Sequence, residues 1–336
     1  MHIVITGGSG FLGTRLARTL LAQGAIGVAG GKERRISTIT LVDRVPPADD
    51  LAFHPKVDVV VGDLNELLSP DGAQRALPSE TALIFHLAAA VSGECEADFD
   101  LGMSSNLAAT HALLEACRAQ HTRPMVVFSS SIAVFGSPLP MVIEDDTLPT
   151  PQTSYGIQKF ICEQLMADYV RKGFIHGRSV RLMTVSVRPG LPNGAASGFF
   201  SGIFREPLAG QRARCPVPLE TLVALASPSR TVEGLLCAAT TPHGQWGPPT
   251  AVNLPSLCVS VGEMIQALEN VAGKAATDLI DVRPDPVIAQ IVAGWPGRFE
   301  WERARSLGLY ADESVEEIVL DYVRENPDAV MLPIAA

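Results

Sequence analysis

Two side chains one helical turn apart, Tyr155 and Lys159 in Tyr155-Gly-Ile-Gln-Lys159, are the strongest candidates for chemistry in this sequence. In a helix, an offset of four residues places both side chains on one face. A cation beside a phenol favours the phenolate, so Tyr155 is a candidate general base near neutral pH. Ser131, at the end of Ser129-Ser-Ser131, could hold the reacting oxygen. Taken alone the pattern is also typical of an ordinary amphipathic helix, so its context decides the interpretation.

A glycine-rich turn, Thr6-Gly-Gly-Ser-Gly-Phe-Leu-Gly13, directly follows the first apolar run and opens a helical pattern. Three glycines at this spacing allow a tight turn whose backbone N–H groups and helix N-terminus face a pyrophosphate. The strand, turn and helix order makes the signal more specific than a glycine pattern alone. The predicted cofactor contacts in this turn are Gly7, Gly10, Phe11, Leu12 and Gly13.

A carboxylate, Asp43, ends the second predicted strand at Thr40-Leu-Val-Asp43. In this position a carboxylate accepts hydrogen bonds from both adenosine ribose hydroxyls and repels a 2′-phosphate, which favours NAD over NADP. Arg44 follows at once and could pair with a phosphate, so NADP stays open as an alternative. Asp63 and Leu64, after the third strand, are predicted to lie at the adenine. With these residues, a dinucleotide-linked proton transfer by Tyr155 is the expected chemistry.

Short apolar runs rich in β-branched residues alternate with amphipathic helical patterns along the first half of the chain. The predicted strands are His2–Thr6, Ser37–Asp43, Val57–Gly62, Ala82–Leu87, Pro124–Ser129 and Ser179–Val187. The predicted helices are Gly13–Gln23, Asn65–Arg75, Met103–Gln120 and Tyr155–Lys172. This alternation predicts an α/β fold with a doubly wound parallel (Rossmann) sheet.

The periodicity changes after Arg188, where a stretch rich in Gly and Pro begins and predicts a second, smaller domain. Later patterns predict a helix at Ser229–Thr240, a strand at Thr250–Leu254, and helices at Val261–Ala272 and Val315–Glu325. We therefore expect a dinucleotide-binding domain of 1–188 plus about 229–256, and a discontinuous C-terminal substrate-binding domain of about 189–228 plus 257–336. Gly24–Arg35 follows a helix and is predicted to be a surface loop.

The composition of the 336 residues excludes several classes of function. A net charge of −10 without a long basic run argues against nucleic acid and membrane partners. The six cysteines are scattered without metal-ligand spacing and indicate reduced, mostly buried thiols and no metal site. The first strand starts one residue after Met1, so we expect no leader segment and a cytoplasmic location. His86 and His111 lie in apolar patterns and are interpreted as structural residues.

Several motifs taken together resemble the extended short-chain dehydrogenase/reductase family, strongly over roughly the first 190 residues. They are TGGSGFLG, Leu41-Val-Asp43, His86-Leu-Ala-Ala89, SSSIAVFG and the Tyr155/Lys159 pair. The resemblance implies that Leu87, Ala88 and Ala89 flank an NAD cofactor, that Ser131 is the catalytic hydroxyl, and that Pro189 lies near the nicotinamide. It also implies a homodimer that pairs through helices such as Met103–Gln120 and Tyr155–Lys172.

Segments in the C-terminal part of the chain limit the range of possible substrates. Epimerases and dehydratases of this family usually carry a His-Val-x-Asp type segment, and this chain has Ala226–Thr231 there. Dehydratases carry an acidic pair after the catalytic hydroxyl, and this chain has Ile132-Ala133 there. Arg188–Ser197, Phe204–Pro207 and Trp295–Phe299 instead look like the D-erythronate dehydrogenase branch. That branch oxidises C2 of a four-carbon sugar acid with NAD, which implies D-erythronate as substrate and a 2-oxo-tetronate as product.

A substrate carboxylate requires a cation or N–H donors, and we predict Asn193, Ser197 and Arg230 for this task, beside Ser131. Arg230 could equally form a structural ion pair, and Asn193 could merely cap a helix. Two other functions stay open: a nucleotide-sugar 4-epimerase with tightly bound NAD, and a dinucleotide sensor without catalysis. The intact Ser131, Tyr155 and Lys159 argue against the sensor.

Overall fold

The structure, a computed structural model, describes residues 1–69, 73–120, 122–190 and 197–334. Its strands are β1 (His2–Thr6), β2 (Ala25–Ile26), β3 (Arg34–Arg35), β4 (Thr38–Asp43), β5 (Val57–Val61), β6 (Thr81–His86), β7 (Met125–Ser131), β8 (His176–Leu182), β9 (Thr184–Val185), β10 (Ala213–Cys215), β11 (Leu222–Ala226), β12 (Val252–Asn253), β13 (Leu257–Ser260) and β14 (Ile280–Val282).

The α-helices alternate with these strands along the first half of the chain. They are α1 (Phe11–Gln23), α2 (Asp49–Ala52), α3 (Leu64–Leu67), α4 (Ala73–Ala76), α5 (Ser92–Ala97), α6 (Phe99–Gly102), α7 (Ala109–Gln120), α8 (Ser154–Arg171), α9 (Gly198–Leu208), α10 (Pro228–Thr240), α11 (His243–Trp246), α12 (Val261–Ala272), α13 (Lys274–Thr277), α14 (Pro286–Ala293), α15 (Glu302–Ser306) and α16 (Val315–Glu325). A π-helical segment, Met103–Ala108, joins α6 to α7.

Seven strands form one sheet in the order β12-β8-β7-β6-β1-β4-β5. β1 pairs in parallel with β4 on one side and with β6 on the other, with Thr6 opposite Val42 and His86. The chain therefore winds outward from β1 in both directions, and the carboxyl ends of these three strands meet at the point of reversal. A crevice at this point is where doubly wound sheets bind ligands. The predicted α/β fold with a doubly wound, mostly parallel sheet is confirmed.

Three predicted elements differ from the structure. The helix expected over Asn65–Arg75 is divided, because α3 ends at Leu67 and α4 begins at Ala73. The strand expected over Ser179–Val187 is divided into β8 and β9, and β9 joins a second sheet of order β13-β11-β9. The loop expected over Gly24–Arg35 contains the short antiparallel pair β2 and β3.

The first of two compact units comprises 1–131, 153–181 and 232–252. Its core lies between the sheet and its helices, where β-branched strand residues such as Val4 and Ile84 pack with Phe128, Leu113 and Cys162. Burial of these apolar side chains is the main stabilising contribution to such a core. Because β1 is buried along its whole length, it holds the turn that follows it at a defined place.

The second unit comprises 132–152, 182–231 and 253–336, and has its own core around Phe200, Phe204, Leu225 and Leu268. Residues 132–152, which the sequence pattern placed with the first domain, belong here. Backbone hydrogen bonds of Ile143 to residues 298 and 300 hold this segment, a pairing between positions far apart in sequence. Assignment of dinucleotide and substrate binding to the two units stays a prediction.

No helix in the part of the chain that the structure describes is long and apolar enough to span a membrane. None of the six cysteines, all of which lie within the described residues, forms a disulfide, and four of them are buried. The prediction that most of the thiols are buried is therefore confirmed, and their reduced state stays a prediction.

Candidate active site

The turn after β1 has the conformation that its glycines permit. Gly7 has a φ of +70°, and a Cβ there would lie 2.8 Å from the Ala88 nitrogen, so only glycine fits. The Gly7 N–H donates to the Val42 oxygen over 2.8 Å, which fixes the turn against β4. Gly10 caps α1 without a side-chain hydrogen bond, so the first N–H groups of the helix face outward for an anion.

Gly13 lies where α1 crosses over this turn. A Cβ at Gly13 would lie 2.1 Å from the Gly7 oxygen, a distance that real side chains never show. Helix and turn can therefore approach this closely only with glycine at both positions. Phe11 and Leu12 complete the first turn of α1. This cradle fits the pyrophosphate of a dinucleotide.

A cavity of about 340 Å³ opens beside the turn, within the first unit. Eight of the predicted cofactor residues line it, namely Gly7, Gly10, Asp43, Asp63, Leu64, Leu87, Ala88 and Ala89. The structure adds residues that sequence reasoning did not assign to the site, namely Val42, Arg44, Gly62, Asn65, Ala90, Glu94, Leu101, Ser105 and Ala109. Several of these, including Ala90 and Ser105, lie on a loop and a helix without a recognisable motif.

Asp43 and Arg44 point to different partners. The Asp43 carboxylate accepts the N–H of Ser9 over 3.0 Å and that of Arg44 over 2.7 Å, which holds it at the cavity wall. The Arg44 guanidinium donates to the Asp63 carboxylate over 2.6 Å and to the Ser105 hydroxyl over 3.2 Å. Burial opposes ionisation of Asp63, but hydrogen bonds from Arg44 and Asn65 lower its pKa overall. Arg44 thus already has a carboxylate partner.

A series of side-chain hydrogen bonds through Thr6, His86 and Thr110 holds the loop after β6. The Thr6 hydroxyl lies 2.7 Å from His86 Nδ1 and accepts the Ala88 N–H over 3.3 Å. His86 Nε2 lies 2.9 Å from the Thr110 hydroxyl, which donates to the Asn106 oxygen. Burial, with the Lys159 charge, lowers the pKa of His86 to about 3. His86 is therefore a neutral core residue that orients Ala88.

Asn106 holds the same loop one residue further along. Its Oδ1 accepts the Ala90 N–H over 2.8 Å, and its amide donates to the Gln158 Oε1 over 2.8 Å. Asn106 lies within the π-helical segment and is buried. π-helical turns are frequent at functional sites. No spacing in the sequence marks Asn106, because Ala90 and Gln158 are 16 and 52 residues away.

The proposed proton-transfer group lies on β7 and α8, which pack together in the first unit. Helix α8 begins at Ser154, and the Thr153 hydroxyl caps it by accepting the Gly156 N–H over 3.1 Å. Tyr155 therefore lies in the first turn, half-buried, with Lys159 one turn later on the buried face. Ser131 is the last residue of β7 and is also half-buried.

Lys159 is 3% exposed, and its Nζ donates to the Ser129 oxygen over 2.8 Å. The same Nζ lies 5.7 Å from the centre of the Tyr155 ring and 4.9 Å from that of Phe128. Burial lowers the pKa of Lys159 to about 8. An ammonium at this distance favours ionisation of the phenol. The arrangement can therefore remove a proton near neutral pH.

The remaining predicted residues belong to the second unit. Pro189 is exposed, and Ser197 is half-buried and precedes the first residue of α9. Asn193 lies outside the described residues. Arg230 is half-buried on α10. Burial of Asp312 raises the pKa of its carboxyl, and the positive charge of Arg230 partly opposes this rise. Arg230 therefore lies within electrostatic range of a carboxylate, and its role in substrate binding stays a prediction.

Known proteins resemble this chain along nearly its whole length. The D-erythronate dehydrogenase of Cupriavidus necator is 46% identical over 327 residues, which cover 97% of this chain and 98% of that protein. The D-erythronate dehydrogenase of Haemophilus influenzae is 42% identical over 323 residues, which cover 96% and 99%. The crystal structure of the nucleoside-diphosphate-sugar epimerase from Agrobacterium tumefaciens has a TM-score of 0.89 and 43% identity, and covers 98% of this chain and 95% of that one.

The motifs of this chain lie within one match to a known family. A sequence model described as the NAD dependent epimerase/dehydratase family matches residues 3–220. The match spans the glycine turn, the cavity and the residues on β7 and α8. The resemblance predicted from these motifs is confirmed, and with it the use of an NAD-type cofactor. The chain therefore belongs to the NAD dependent epimerase/dehydratase family.

Proposed function

We propose that this chain oxidises the C2 hydroxyl of D-erythronate to the 2-oxo acid, with NAD as the hydride acceptor. The observation that carries the proposal is the likeness to two D-erythronate dehydrogenases over 97% and 96% of the chain. This likeness includes the C-terminal part, where the substrate residues are predicted. A likeness limited to the first 190 residues would support a cofactor site and leave the substrate undefined.

The glycine cradle and the cavity would hold the cofactor. The N–H groups at the start of α1 would face its pyrophosphate, and Asp43 would accept hydrogen bonds from the adenosine ribose hydroxyls. Leu87–Ala89 would flank the dinucleotide, and Pro189 would lie near its nicotinamide. When bound, NAD supplies the acceptor for the hydride that leaves C2.

The protein moves the proton. Tyr155, as phenolate, takes the proton of the C2 hydroxyl, and Ser131 donates a hydrogen bond to the same oxygen. The Lys159 ammonium stabilises the phenolate and holds the nicotinamide ribose. Arg230, Ser197 and Asn193 bind the substrate carboxylate, which aligns C2 with the acceptor. The reaction therefore needs no metal ion.

NAD is proposed over NADP because Asp43 faces the cavity and Arg44 is already bound to Asp63. We expect Asp43→Asn to lower kcat/KM for NAD about 10- to 100-fold, since a charged hydrogen-bond acceptor is lost. The kcat/KM for NADP should fall less than that for NAD, or rise, because the Asp43 charge no longer repels the 2′-phosphate. Steady-state kinetics with both cofactors measures the ratio. Asp58→Asn, an exposed strand residue, is the matched control and should leave the ratio unchanged.

The decisive experiment follows NADH absorbance with purified protein, NAD, and a panel of D- and L-tetronic acids beside UDP-sugars. Turnover of D-erythronate alone supports the proposal. The second candidate is a nucleotide-sugar epimerase with tightly bound NAD, favoured by the A. tumefaciens structure of that description. Conversion of a UDP-sugar without net NADH, together with silence on every acid, would contradict the dehydrogenase and establish the epimerase.

We further propose a homodimer, because α8 presents Ile157 and Ile161 at 44% and 38% exposure one turn apart, with Phe99 at 60% in the same unit. Exposed apolar side chains in one region are typical of an interface. Ile161→Glu is expected to convert the dimer to a monomer in sedimentation velocity. Phe53→Glu, at an 82% exposed position on another helix end, should leave the dimer intact. A wild-type monomer at micromolar concentration would contradict the proposal.

A cytoplasmic location is also proposed. The cysteines support it, because none of the six forms a disulfide in the described structure and a reducing compartment keeps thiols in this state.

A further inference from the structure

A buried ion pair lies one helical turn beyond Lys159. The Glu163 carboxylate on α8 accepts two hydrogen bonds from Arg181 on β8, one from Nη2 to Oε2 over 2.8 Å and one from Nε to Oε1 over 2.9 Å. The two side chains are 3% and 6% exposed. A bidentate pair of this kind has a well-defined geometry. The proposed proton transfer does not use either residue.

A third element reaches the same carboxylate. The hydroxyl of Ser130 donates to Glu163 Oε1, and Ser130 is the residue before Ser131 on β7. One carboxylate therefore connects β7, which carries Ser131, to α8, which carries Tyr155 and Lys159. Arg181 joins the adjacent strand β8 to this point. The carboxylate therefore joins the two elements that carry the three proposed catalytic residues.

Glu163 also contributes charge near Lys159. The titratable groups that influence or face Lys159 are Tyr155, Cys162 and Glu163 on α8, Cys95 on α5 and His86 on β6. Burial raises the pKa of both thiols, so Cys95 and Cys162 are neutral at neutral pH. The neutral His86 adds no anion. Glu163 therefore contributes a negative charge that favours the protonated form of the buried amine, and the Arg181 cation, paired with Glu163, partly offsets it.

We propose that Glu163 is a positioning residue for the dehydrogenase reaction: it fixes β7 against α8 and keeps the Lys159 ammonium charged. The inference rests on the proposed function for its kinetic part only. Its structural part, the connection of two elements through one carboxylate, concerns the protein without substrate. In the proposed reaction Glu163 acts through Ser130 and Lys159 and contacts no reacting atom.

The kinetic test compares Glu163→Gln with the double variant Glu163→Gln/Arg181→Gln, which leaves no unpaired buried charge. In Glu163→Gln the alkaline fall of kcat/KM for D-erythronate should move down by about 1 pH unit, because the ammonium loses its anion while the Arg181 cation remains. The double variant should show a smaller shift in the same direction, because the cation is removed as well. NADH affinity, measured by fluorescence titration, should stay within about two-fold, since the cavity is unchanged. Asp168→Asn removes an exposed carboxylate from the same helix and should not move the profile.

The structural test is hydrogen exchange of the free protein, read by mass spectrometry. Exchange should rise in 125–131 and 154–171 in Glu163→Gln and stay unchanged in Asp168→Asn. An unmoved pH profile in both glutamine variants, or exchange that rises equally throughout the chain, would overturn the inference. If the wild type does not oxidise D-erythronate, the proposed function fails, and the exchange result alone then supports or overturns the positioning by Glu163.

Discussion

Replacement of Tyr155 by phenylalanine is expected to lower kcat for D-erythronate oxidation about 10³-fold, the usual contribution of a positioned general base. The substitution removes one oxygen atom from a half-buried side chain in the first turn of α8. The ring, its packing and the Thr153 cap stay in place. Pre-steady-state and steady-state NADH formation both measure the loss, and the first separates chemistry from product release.

The controls for this prediction come from the same helix. Tyr169→Phe removes the only other phenol on α8, whose hydroxyl donates to Glu115 away from Lys159, and should keep near wild-type turnover. NADH affinity and the melting temperature of Tyr155→Phe should match those of the wild type. A variant that keeps a tenth of the wild-type kcat would refute Tyr155 as the base. Loss of NADH binding in parallel would assign it to the cofactor site instead.

The parts of the fold that could be predicted are those with local signals. β1, α12 and α16 have the predicted bounds. For α12 the reason is visible in Ser260 and Glu263, which form a capping box in which the Ser260 hydroxyl accepts the Glu263 N–H over 3.1 Å. The two residues of this cap are only three positions apart, so the sequence alone is enough to predict the start of the helix.

The parts that could not be predicted depend on partners that are distant in sequence. β9 leaves the main sheet because Thr184 and Val185 pair with Leu225 and Ala226, some forty residues away. The β-branched residues around them have the same composition whether they continue one strand or join another sheet. Segment 132–152 likewise belongs to the second unit through pairing with residues near 299.

The same distinction applies to the candidate site. The glycine turn and the Tyr155/Lys159 pair are short motifs, and the structure places them at the end of β1 and on one helix. Asn106, Glu163 and the Arg44–Asp63 pair carry no motif, because each acts through residues from 16 to 52 positions away. Motifs therefore indicate the groups proposed to contact the reactants, and tertiary structure is needed to find those that support them.

A buried ammonium connects function to stability in this protein. Burial lowers the pKa of Lys159 from 10.5 to about 8, so the folded state disfavours the charged form that the proposed reaction uses. The unfolded chain binds this proton more tightly, so the shift lowers the free energy of unfolding, by its full amount below pH 8. This destabilisation decreases as the pH rises from 8 to 10.5. Functional groups held in this way commonly reduce the stability of the fold.

Lys159→Met should therefore separate the two properties. At pH 7 we expect kcat/KM to fall about 100-fold, because the phenolate of Tyr155 loses the cation that stabilises it. The wild-type profile should fall above pH 8 as Lys159 loses its proton, and the variant should lack this fall. The Lys159→Met variant keeps an unbranched apolar side chain and loses the hydrogen bond to the Ser129 oxygen.

Stability should change in the opposite direction. Removal of the ammonium relieves at most about 3 kcal/mol at pH 7, offset by about 1 kcal/mol for the lost hydrogen bond. Urea unfolding should show the variant more stable than the wild type at pH 7, with the difference shrinking toward pH 10 as the wild-type amine becomes neutral. Lys172→Met, an exposed residue at the end of α8, is the matched control and should change neither property. A variant that is less stable at pH 7 and keeps its alkaline fall would show that Lys159 is not the group titrating in the profile.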